Sequence, residues 1–509
     1  MTATLPVSIK LAYGVGQLAE GIKNTAFSIF LLFYYNQVLG LPGAWTGLAL
    51  GIATVIDAIT DPIMGSVSDG FRHRWGRRHL FMYLAALPLG LSFALLFVPP
   101  AGLGDAGLFA WLLAGTIGVR LSLTLYGVPH MALGAELSND YRERTAVVAY
   151  RNIFGFVGGV LVVAVGWGWF FRAQPGFPDG QLNAAQYPVF GIACGVVAAL
   201  SVLATAFGTH ARIPFLLQPA HAPAPLSVTR LLGEMREALS NASFRALFGG
   251  TVLLFVTRGI EQGLGIYMVT HFWLISPAEI LTVQIAGLGG LFAGTVLWVL
   301  ASRRVDKRPA FLTGVVVFSI FSLLPPLGKI LGWFPHHDSP AYVPLLASLA
   351  VIASLGAAAG LVTSGSMMAD IADEHELDTG KRQEGIFFGA LLFAVKATSG
   401  LGQFVAGLGL DLIDFPLRAE PGTVPVATTD ALGILYGPGI AFLAVASIIV
   451  LTRYRITTAR HAEIAAALAH RAELAAAAAV TPAAGESEPI PGTVPLPVRA
   501  LNSPADQSP

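Results

Sequence analysis

Charged residues are scarce in this sequence. Lysine, arginine, aspartate and glutamate make up 12% of the 509 residues, whereas about 25% is usual in a soluble domain. A soluble protein of this length would need far more polar surface. The 30 basic and 30 acidic residues also balance, which leaves no basic stripe to neutralise phosphates, so we expect no nucleic-acid partner.

Cysteine and the motifs of soluble enzymes are just as scarce. Cys194 is the only cysteine, so no internal disulfide can form, and its position in an apolar run predicts a small buried side chain. The sequence contains no Walker lysine loop, no nucleotide-binding glycine fingerprint after a strand and no zinc-ligand spacing. We therefore expect neither an enzyme nor an ATP-driven pump.

Apolar segments, in contrast, are abundant. A helix needs roughly 20 apolar residues to cross a hydrocarbon core of about 30 Å. The predicted spans are 11–38, 44–68, 79–99, 107–134, 147–171, 187–209, 244–273, 279–301, 309–332, 341–369, 384–413 and 432–452. The first is longer than the apolar region of a signal peptide and lacks a cleavage site. These segments predict an all-α, polytopic membrane protein with about twelve transmembrane helices.

The chain divides into two halves and a tail. We predict an N-terminal six-helix bundle at 1–210, a cytoplasmic connection at 211–243, a C-terminal six-helix bundle at 244–453 and a cytoplasmic tail at 454–509. The tail is alanine-rich to about Val480 and then rich in proline, serine and glycine, which predicts a helix followed by disorder. Two pseudo-symmetric halves around a midplane site resemble the design of the major facilitator superfamily.

Basic residues are concentrated in every second loop. We call the end of the protein at which these loops lie the basic end. The loops between them contain only Arg172, Lys329 and Arg418. Because basic residues mark the cytoplasmic side, both termini should be cytoplasmic, in a plasma or inner membrane. The basic end comprises Arg72, Arg74, Arg77, Arg78, Arg142, Arg144, Arg303, Arg304, Lys307, Arg308, Lys381 and Arg382, with Arg212, Arg230 and Arg236 in the central connection.

Two aspartates lie inside the second predicted span. Asp57 and Asp61 are four residues apart, so both carboxylates fall on one face of a helix. Two like charges this close in a low dielectric need a counter-charge: shared protons, a bound cation, or an Arg or Lys from another helix. The first two alternatives predict a cation-coupling site, and the third predicts a structural ion pair.

Two further pairs of opposite charge fall inside predicted spans and are candidates for substrate binding. Glu20 and Lys23 lie in the first span, and Arg258 and Glu261 lie in the seventh. Each pair is three residues apart and can neutralise itself. Self-pairing and substrate contact both stay open.

Single charges in other spans are also candidates for substrate binding. Arg120 lacks a local acidic partner, so it either pairs with one of the two aspartates or faces an anionic group of the substrate. Lys396 lies well inside the eleventh span, whereas Arg151 lies near the start of the fifth, where it can also reach the interface. His130 follows a proline and serves either in packing or as a proton shuttle.

Two sites at the basic end are candidates for gating. Gly65 and Asp69, followed by a basic run that includes Arg77 and Arg78, look like the cytoplasmic gating motif of the superfamily, with a small residue for close helix contact. A plain cytoplasmic loop is the alternative.

The second gating candidate is an acidic cluster at the end of the tenth span. Its members are Asp370, Asp373, Glu374, His375 and Glu376. These side chains include metal-ligand types, but we expect a salt-bridge network and no metal, because Lys381 and Arg382 follow closely.

Several short motifs occur together in this chain. They are Tyr13–Gly16, Asp57–Pro62 with Gly65, Arg74–Arg77, Val128–Pro129, Glu136 with Asp140–Arg144, and Ala369–Asp373. In this combination the sequence resembles the glycoside–pentoside–hexuronide:cation symporters, of which the melibiose permease is the familiar member. The resemblance implies that Asp57, Asp61 and Thr124 form the cation site, and that Arg151 and Lys396 face the sugar cavity.

Three positions depart from the melibiose type. Gly21 stands where that type has an acidic residue, although Glu20 is adjacent. Gly127 replaces an aspartate that serves both cation and sugar, and Met131 replaces a tryptophan that stacks on the sugar. The missing carboxylate favours protons over Na⁺, and the missing ring weakens the case for a galactoside.

The leading hypothesis is a secondary active transporter that works by alternating access. It would carry a sugar, glycoside or sugar acid in symport with a cation, a proton rather than Na⁺. One alternative keeps the fold but carries a lysophospholipid or another amphiphile, and another is a non-transporting receptor or scaffold. We expect a small-molecule substrate, the coupling cation (H⁺ or Na⁺) and the lipid bilayer as partners, no other cofactor, and a monomer.

Overall fold

The structure is a computed structural model that describes residues 5–138, 140–216, 233, 236–302, 304–380 and 384–480. Apart from an isolated bridge between Gln174 and Phe177, these residues contain no β-structure, which confirms the all-α class. The predicted sites at Arg230, Arg303, Lys381 and Arg382, and the predicted disorder beyond Val480, lie outside the described residues.

The helices before the central connection are called the first half here, and those after it the second half. The first half has α1 (Val7–Val15), α2 (Leu18–Ala26), π-helical turns at Phe27–Leu31 and Tyr34–Val38, α3 (Gly43–Gly70), α4 (His79–Leu96), α5 (Asp105–Glu136), α6 (Tyr141–Val165) with a π-helical turn at Gly166–Phe170, and α7 (Gln186–His210). The second half has α8 (Ala242–Tyr267) with a π-helical turn at Met268–Phe272, α9 (Pro277–Ala301), α10 (Lys307–Ile330), α11 (Tyr342–Thr379), α12 (Glu384–Leu412) and α13 (Val426–Leu451). The tail contains α14 (Thr458–Val480).

Eleven helices in the described part of the chain are long and apolar enough to cross a membrane. The first predicted span differs from them because it is not one continuous helix. It is interrupted at Gly16, where an added Cβ would lie 1.7 Å from the Tyr126 hydroxyl and 2.3 Å from Thr205 Oγ1. The Thr205 hydroxyl donates to the Ala12 carbonyl (2.7 Å), one turn before the break. The interruption of the first span therefore coincides with close packing against α5 and α7.

Capping side chains define where several helices begin. Asp140 accepts from the backbone N–H groups of the first turn of α6, and Asn241 does so for α8. Ser276 and Glu279 form a reciprocal capping box at the start of α9. In contrast, α3 begins after Pro42 without a capping side chain of its own.

The two halves meet along α3 and α12 through small residues. A Cβ at Gly407 would lie 2.0 Å from the Gly43 carbonyl oxygen, and one at Gly47 would lie 2.7 Å from the Gln403 carbonyl oxygen. Glycines at such positions let two membrane helices approach backbone to backbone. This contact brings charged side chains of α12 within reach of α3.

Further contacts between the halves lie at the end opposite the basic loops, which we call the opposite end. The Tyr267 hydroxyl donates to Asn36 Oδ1 (2.8 Å), and the Gln37 amide donates to the Pro416 carbonyl (3.1 Å). Asp411 accepts from the backbone N–H groups of Gly43 (2.8 Å) and Ala44 (2.7 Å). The second half therefore supplies the N-terminal cap that α3 lacks.

Candidate functional site

Asp57 and Asp61 lie one turn apart on α3 and face α5. The Thr124 hydroxyl of α5 lies between them, 3.1 Å from Asp57 Oδ1 and 2.7 Å from Asp61 Oδ1. Because a hydroxyl has one proton, it donates to one carboxylate at a time. Asp57 and Thr124 are each 6% exposed. The structure thus brings together the three residues that the family resemblance implies for one cation site.

Two basic side chains neutralise this pair of aspartates. Arg120 of α5 lies 3.2 Å from Asp57 Oδ2. Lys396 of α12 contacts Asp61 Oδ2, and its Nζ lies 3.5 Å from Asp57 Oδ2. From the sequence, Arg120 could pair with either aspartate, and in the structure it pairs with Asp57. We call these five residues the central cluster: Asp57, Asp61, Arg120, Thr124 and Lys396.

The central cluster joins the two halves. Its carboxylates belong to the first half, whereas Lys396 belongs to the second. Two carboxylates and two basic groups give a formal charge of zero. Of the counter-charges considered from the sequence, the structure contains the ion pair with another helix, and this ion pair crosses the interface between the halves.

Glu20 and Lys23 do not pair directly, although their spacing allows it. Glu20 Oε2 accepts from the Gln17 amide (2.8 Å), and Lys23 Nζ donates to Asn24 Oδ1 (2.7 Å). Lys23 is 9% exposed and lies within electrostatic range of Asp57 and of Glu20 itself. Self-pairing is therefore not formed here, and both charges border the central cluster.

The positions that depart from the melibiose type have different surroundings. Gly21 lies against α6, and a Cβ there would lie 2.0 Å from the Gly155 carbonyl oxygen, so no acidic side chain fits. Gly127, in contrast, lies one turn from Thr124, and an added Cβ would meet nothing within 4 Å. Met131 is 57% exposed. The chain therefore has open space where the resemblance places a carboxylate.

Of the remaining candidates, His130 and Arg151 both lie next to Tyr13, whereas Arg258 pairs within its own helix. The His130 ring stacks on Tyr13 (4.3 Å between centroids), and its Nε2 lies 2.9 Å from the Tyr13 carbonyl oxygen, which fits a packing role. Arg151 interacts with the Tyr13 hydroxyl. Arg258 pairs with Glu261 on its own helix (2.5 Å), as the spacing allowed.

At the basic end of the first half, Arg77 and Arg78 form an ionic network. Arg78 contacts Asp69 and lies 2.9 Å from Glu136, and Arg77 lies 2.6 Å from the same Glu136 oxygen. Glu136 thus links α5 to the loop before α4, a role that the sequence did not assign. Gly65 makes no close helix contact in this structure, because a Cβ there would meet Val128 Cγ1 at 3.7 Å, an ordinary contact; its gating role stays a prediction.

The second half has a corresponding network that includes the tail. Asp370 lies 2.7 Å from Lys307 Nζ, and Asp373 lies 3.0 Å from His461 Nε2 of α14. The Tyr454 hydroxyl donates to Asp370 (3.4 Å), and burial, together with Asp370, raises the pKa of this hydroxyl above its ordinary range. The sequence identified the two aspartates, but it missed His461 and Tyr454, which lie in a tail to which it assigned no role.

Comparison with known proteins adds to this geometry. Residues 12–458 match the protein family described as MFS/sugar transport protein. A symporter of Synechocystis sp., itself uncharacterized, is 26% identical in an alignment of 538 positions, gaps included, that covers 90% of this chain and 96% of that protein. An isoprimeverose transporter of Lactiplantibacillus pentosus is 21% identical over 415 aligned positions, which cover 79% of this chain and 80% of that protein.

The fold has relatives among solved structures. A structure from work on proton-dependent oligopeptide transporters superposes with a TM-score of 0.60 at 17% identity. The match covers 90% of this chain and 99% of that one. At this level of identity the likeness concerns the fold alone.

Proposed function

The chain belongs to the MFS/sugar transport protein family, and on this premise we propose that it carries a sugar or glycoside in symport with a proton. The contact of Lys396 with Asp57 and Asp61 carries this proposal, because it joins the two halves through titratable groups. The protein is a multi-pass membrane transporter, not an enzyme.

Competition for Lys396 couples the two ligands. The Lys396 ammonium has three N–H donors that sugar hydroxyls or an anionic substrate group can accept. When substrate draws Lys396 away, Asp61 loses its counter-charge in a low-dielectric site, which favours its protonated form. By thermodynamic reciprocity, a proton on Asp61 frees Lys396 for substrate. Substrate and proton therefore favour each other's binding, as symport requires.

The composition of the central cluster supports a proton over Na⁺. A metal cation needs a shell of several oxygen ligands. Asp57, Asp61 and Thr124 supply side-chain oxygens, but Arg120 and Lys396 already contact both carboxylates, and Gly127 supplies no side-chain oxygen. A proton needs one carboxylate oxygen and no such shell.

The family description and one relative support a sugar as cargo. One of them is named as an isoprimeverose transporter, and the family description names sugar transport. No specific contact in the described structure favours the lysophospholipid alternative. We further propose that the basic end faces the cytoplasm, that both termini lie there, and that the protein acts as a monomer in the plasma or inner membrane.

Reconstituted vesicles test the coupling. With an imposed pH gradient, wild-type protein should accumulate a sugar from a panel that includes isoprimeverose, and a Na⁺ gradient at constant pH should not drive accumulation. Asp61→Asn should abolish gradient-driven accumulation but retain sugar exchange, because asparagine mimics the neutral carboxylic acid. Asp105→Asn is the matched control, since Asp105 is an exposed carboxylate at the start of α5.

Two outcomes would contradict the proposal. Full gradient-driven accumulation by both Asp57→Asn and Asp61→Asn would show that these aspartates do not couple transport. Uptake of lysophosphatidylcholine, with no response to any sugar in the panel, would establish the amphiphile alternative instead.

A further inference from the structure

Two segments of the first half pack together at the basic end. One is the loop before α4, and the other comprises the last turn of α7 and the residues that follow it. The Tyr83 ring links them, because its centroid lies 5.9 Å from that of Trp75 and 4.9 Å from that of Phe207. An added Cβ at Gly76 would lie 3.2 Å from the Ile213 side chain. The loop and the end of α7 therefore form one continuous surface.

Three aromatic side chains of this surface are exposed. Trp75 is 43% exposed, and Phe207 and Phe215 are 67% and 72% exposed. Phe207 lies at the end of a helix that is long and apolar enough to cross a membrane, so it lies close to the boundary between hydrocarbon and water. Tryptophan is enriched at this depth, and an exposed phenylalanine is stabilised when lipid covers it. We therefore expect these rings to contact lipid.

Two arginines flank the contact between the two segments. Arg74 precedes Gly76 by two residues, and Arg212 directly precedes Ile213. The Gly76 contact with Ile213 thus brings both arginines to the same edge of the surface. Each guanidinium lies over one of the exposed rings, 5.7 Å and 5.1 Å from the ring centroid. Positive charge and exposed rings therefore occur side by side.

The charges of Arg74 and Arg212 are not neutralised by the described part of the chain, where no carboxylate pairs with either of them. Arg77 and Arg78 differ from them, because both pair with Glu136. A guanidinium binds a phosphate through two parallel N–H···O bonds. Two free guanidiniums beside exposed rings therefore suit a ligand that has both a phosphate and an apolar part.

We propose that this surface binds one anionic phospholipid, such as phosphatidylglycerol. The lipid phosphodiester accepts hydrogen bonds from the guanidiniums, and the acyl chains cover the exposed rings. A free phosphate ion would leave these rings in water. The cytoplasmic leaflet, which the basic end is proposed to face, carries anionic lipids. The site goes beyond the proposed symport, because it involves neither the central cluster nor the contact between α3 and α12. We call it the lipid patch: Arg74, Trp75, Tyr83, Phe207, Arg212 and Phe215.

Native mass spectrometry of the full chain, titrated with lipid in detergent, tests the lipid patch. Wild-type protein should bind one phosphatidylglycerol more tightly than phosphatidylcholine, whose choline group neutralises its phosphate. Arg74→Gln/Arg212→Gln should weaken phosphatidylglycerol binding about 30-fold, because each basic side chain at a membrane surface contributes about 5-fold. Arg304→Gln/Arg453→Gln is the matched control. It removes the same charge from exposed positions at the basic end of the second half and should keep binding unchanged.

The same titration tests the rings. Trp75→Ala should weaken phosphatidylglycerol binding about 5-fold, which corresponds to the loss of about 40 Å² of apolar contact with the lipid. Trp333→Ala removes an exposed ring at the opposite end and should leave the binding unchanged. Equal effects of these two substitutions would show that the lipid does not contact Trp75.

Other outcomes would also overturn the proposal. Equal affinities of wild-type protein for the two lipids would exclude recognition of the anionic headgroup, and equal losses in the two double variants would show that net charge alone causes the effect. Inorganic phosphate should displace the lipid no more than chloride does at the same ionic strength, and stronger displacement would indicate a site for free anions instead.

Folding and coupling are separated from lipid binding by two further measurements. Thermal melting of each variant without added lipid identifies any that fails to fold. Where the double variant fails, Arg74→Gln and Arg212→Gln alone should each weaken binding about 5-fold. Asp61→Asn should bind phosphatidylglycerol as wild type does, so a failure of the coupling mechanism leaves the test of the lipid patch intact.

Discussion

The cap that Asp411 places on α3 joins the two halves at the opposite end. Its two oxygens accept from Gly43 N (2.8 Å) and Ala44 N (2.7 Å), and α3 has no cap of its own after Pro42. Because Asp411 belongs to α12, separation of the halves at this end must break both hydrogen bonds. Asp411→Ala should therefore shift the equilibrium toward a state that is open at the opposite end.

The size of this shift follows from the chemistry of helix caps. Loss of an N-terminal cap costs about 0.5–2 kcal/mol, and loss of a negative charge at this end of a helix costs a further ~0.3–1 kcal/mol. For Asp411→Ala, a net effect of about 1–2 kcal/mol corresponds to a 5- to 30-fold change in the conformational equilibrium. Asp411→Asn keeps one acceptor oxygen and should shift it less.

Distance measurements between spin labels report this equilibrium directly. In a Cys194→Ser background, Ala101→Cys and Ala427→Cys place labels at exposed positions of the two halves at the opposite end. Double electron–electron resonance should show a longer-distance population that grows from wild type through Asp411→Asn to Asp411→Ala. Glu420→Ala, which removes an exposed carboxylate near the same end, should leave the distribution unchanged. Identical distributions for wild type and Asp411→Ala would refute the reasoning.

Two further substitutions test the surroundings of the central cluster and the basic end. Gly127→Asp adds a carboxylate in open space one turn from Thr124, and it should make sugar uptake respond to a Na⁺ gradient; an unchanged ion dependence would contradict this. Glu136→Gln leaves Arg77 and Arg78 without their shared carboxylate and should destabilise the protein by about 2–4 kcal/mol, seen as a lower melting temperature. Glu463→Gln breaks an exposed pair with Arg460 and should cost no more than about 1 kcal/mol. Equal melting temperatures for the two variants would contradict the predicted role of Glu136.

The spans were predictable because the membrane thickness requires apolar segments of about 20 residues, which are visible in the sequence. The predicted eighth span, 279–301, corresponds to α9 at Pro277–Ala301. The predicted tenth span ended at 369, whereas α11 continues to Thr379 and carries Asp370 and Asp373 on its extension. Hydropathy measures only the apolar part of a helix, so it does not detect the polar part of the same helix that continues beyond the hydrocarbon core.

The residues of the central cluster were predictable, but their partners were not. The spacing of Asp57 and Asp61 requires a counter-charge, and this much follows from electrostatics. That Lys396 supplies it depends on which helix of the second half packs against α3, and neither spacing nor hydropathy encodes that choice. Asp411 was missed for the same reason. Its one sequence signal is indirect: α3 begins after Pro42 with no Ser, Thr, Asp or Asn to cap it.

Gly21 shows why a family resemblance must be examined against packing. In the sequence comparison, Gly21 stands where the melibiose type has an acidic residue in its first span. In the structure this position faces α6 so closely that no side chain fits, whereas Glu20, about 100° around the helix, lies within electrostatic range of Lys23 and Lys396. The carboxylate is therefore not lost but approaches the central cluster from the adjacent position. At Gly127 the space is open, so we attribute the proposed preference for a proton over Na⁺ to this departure and not to Gly21.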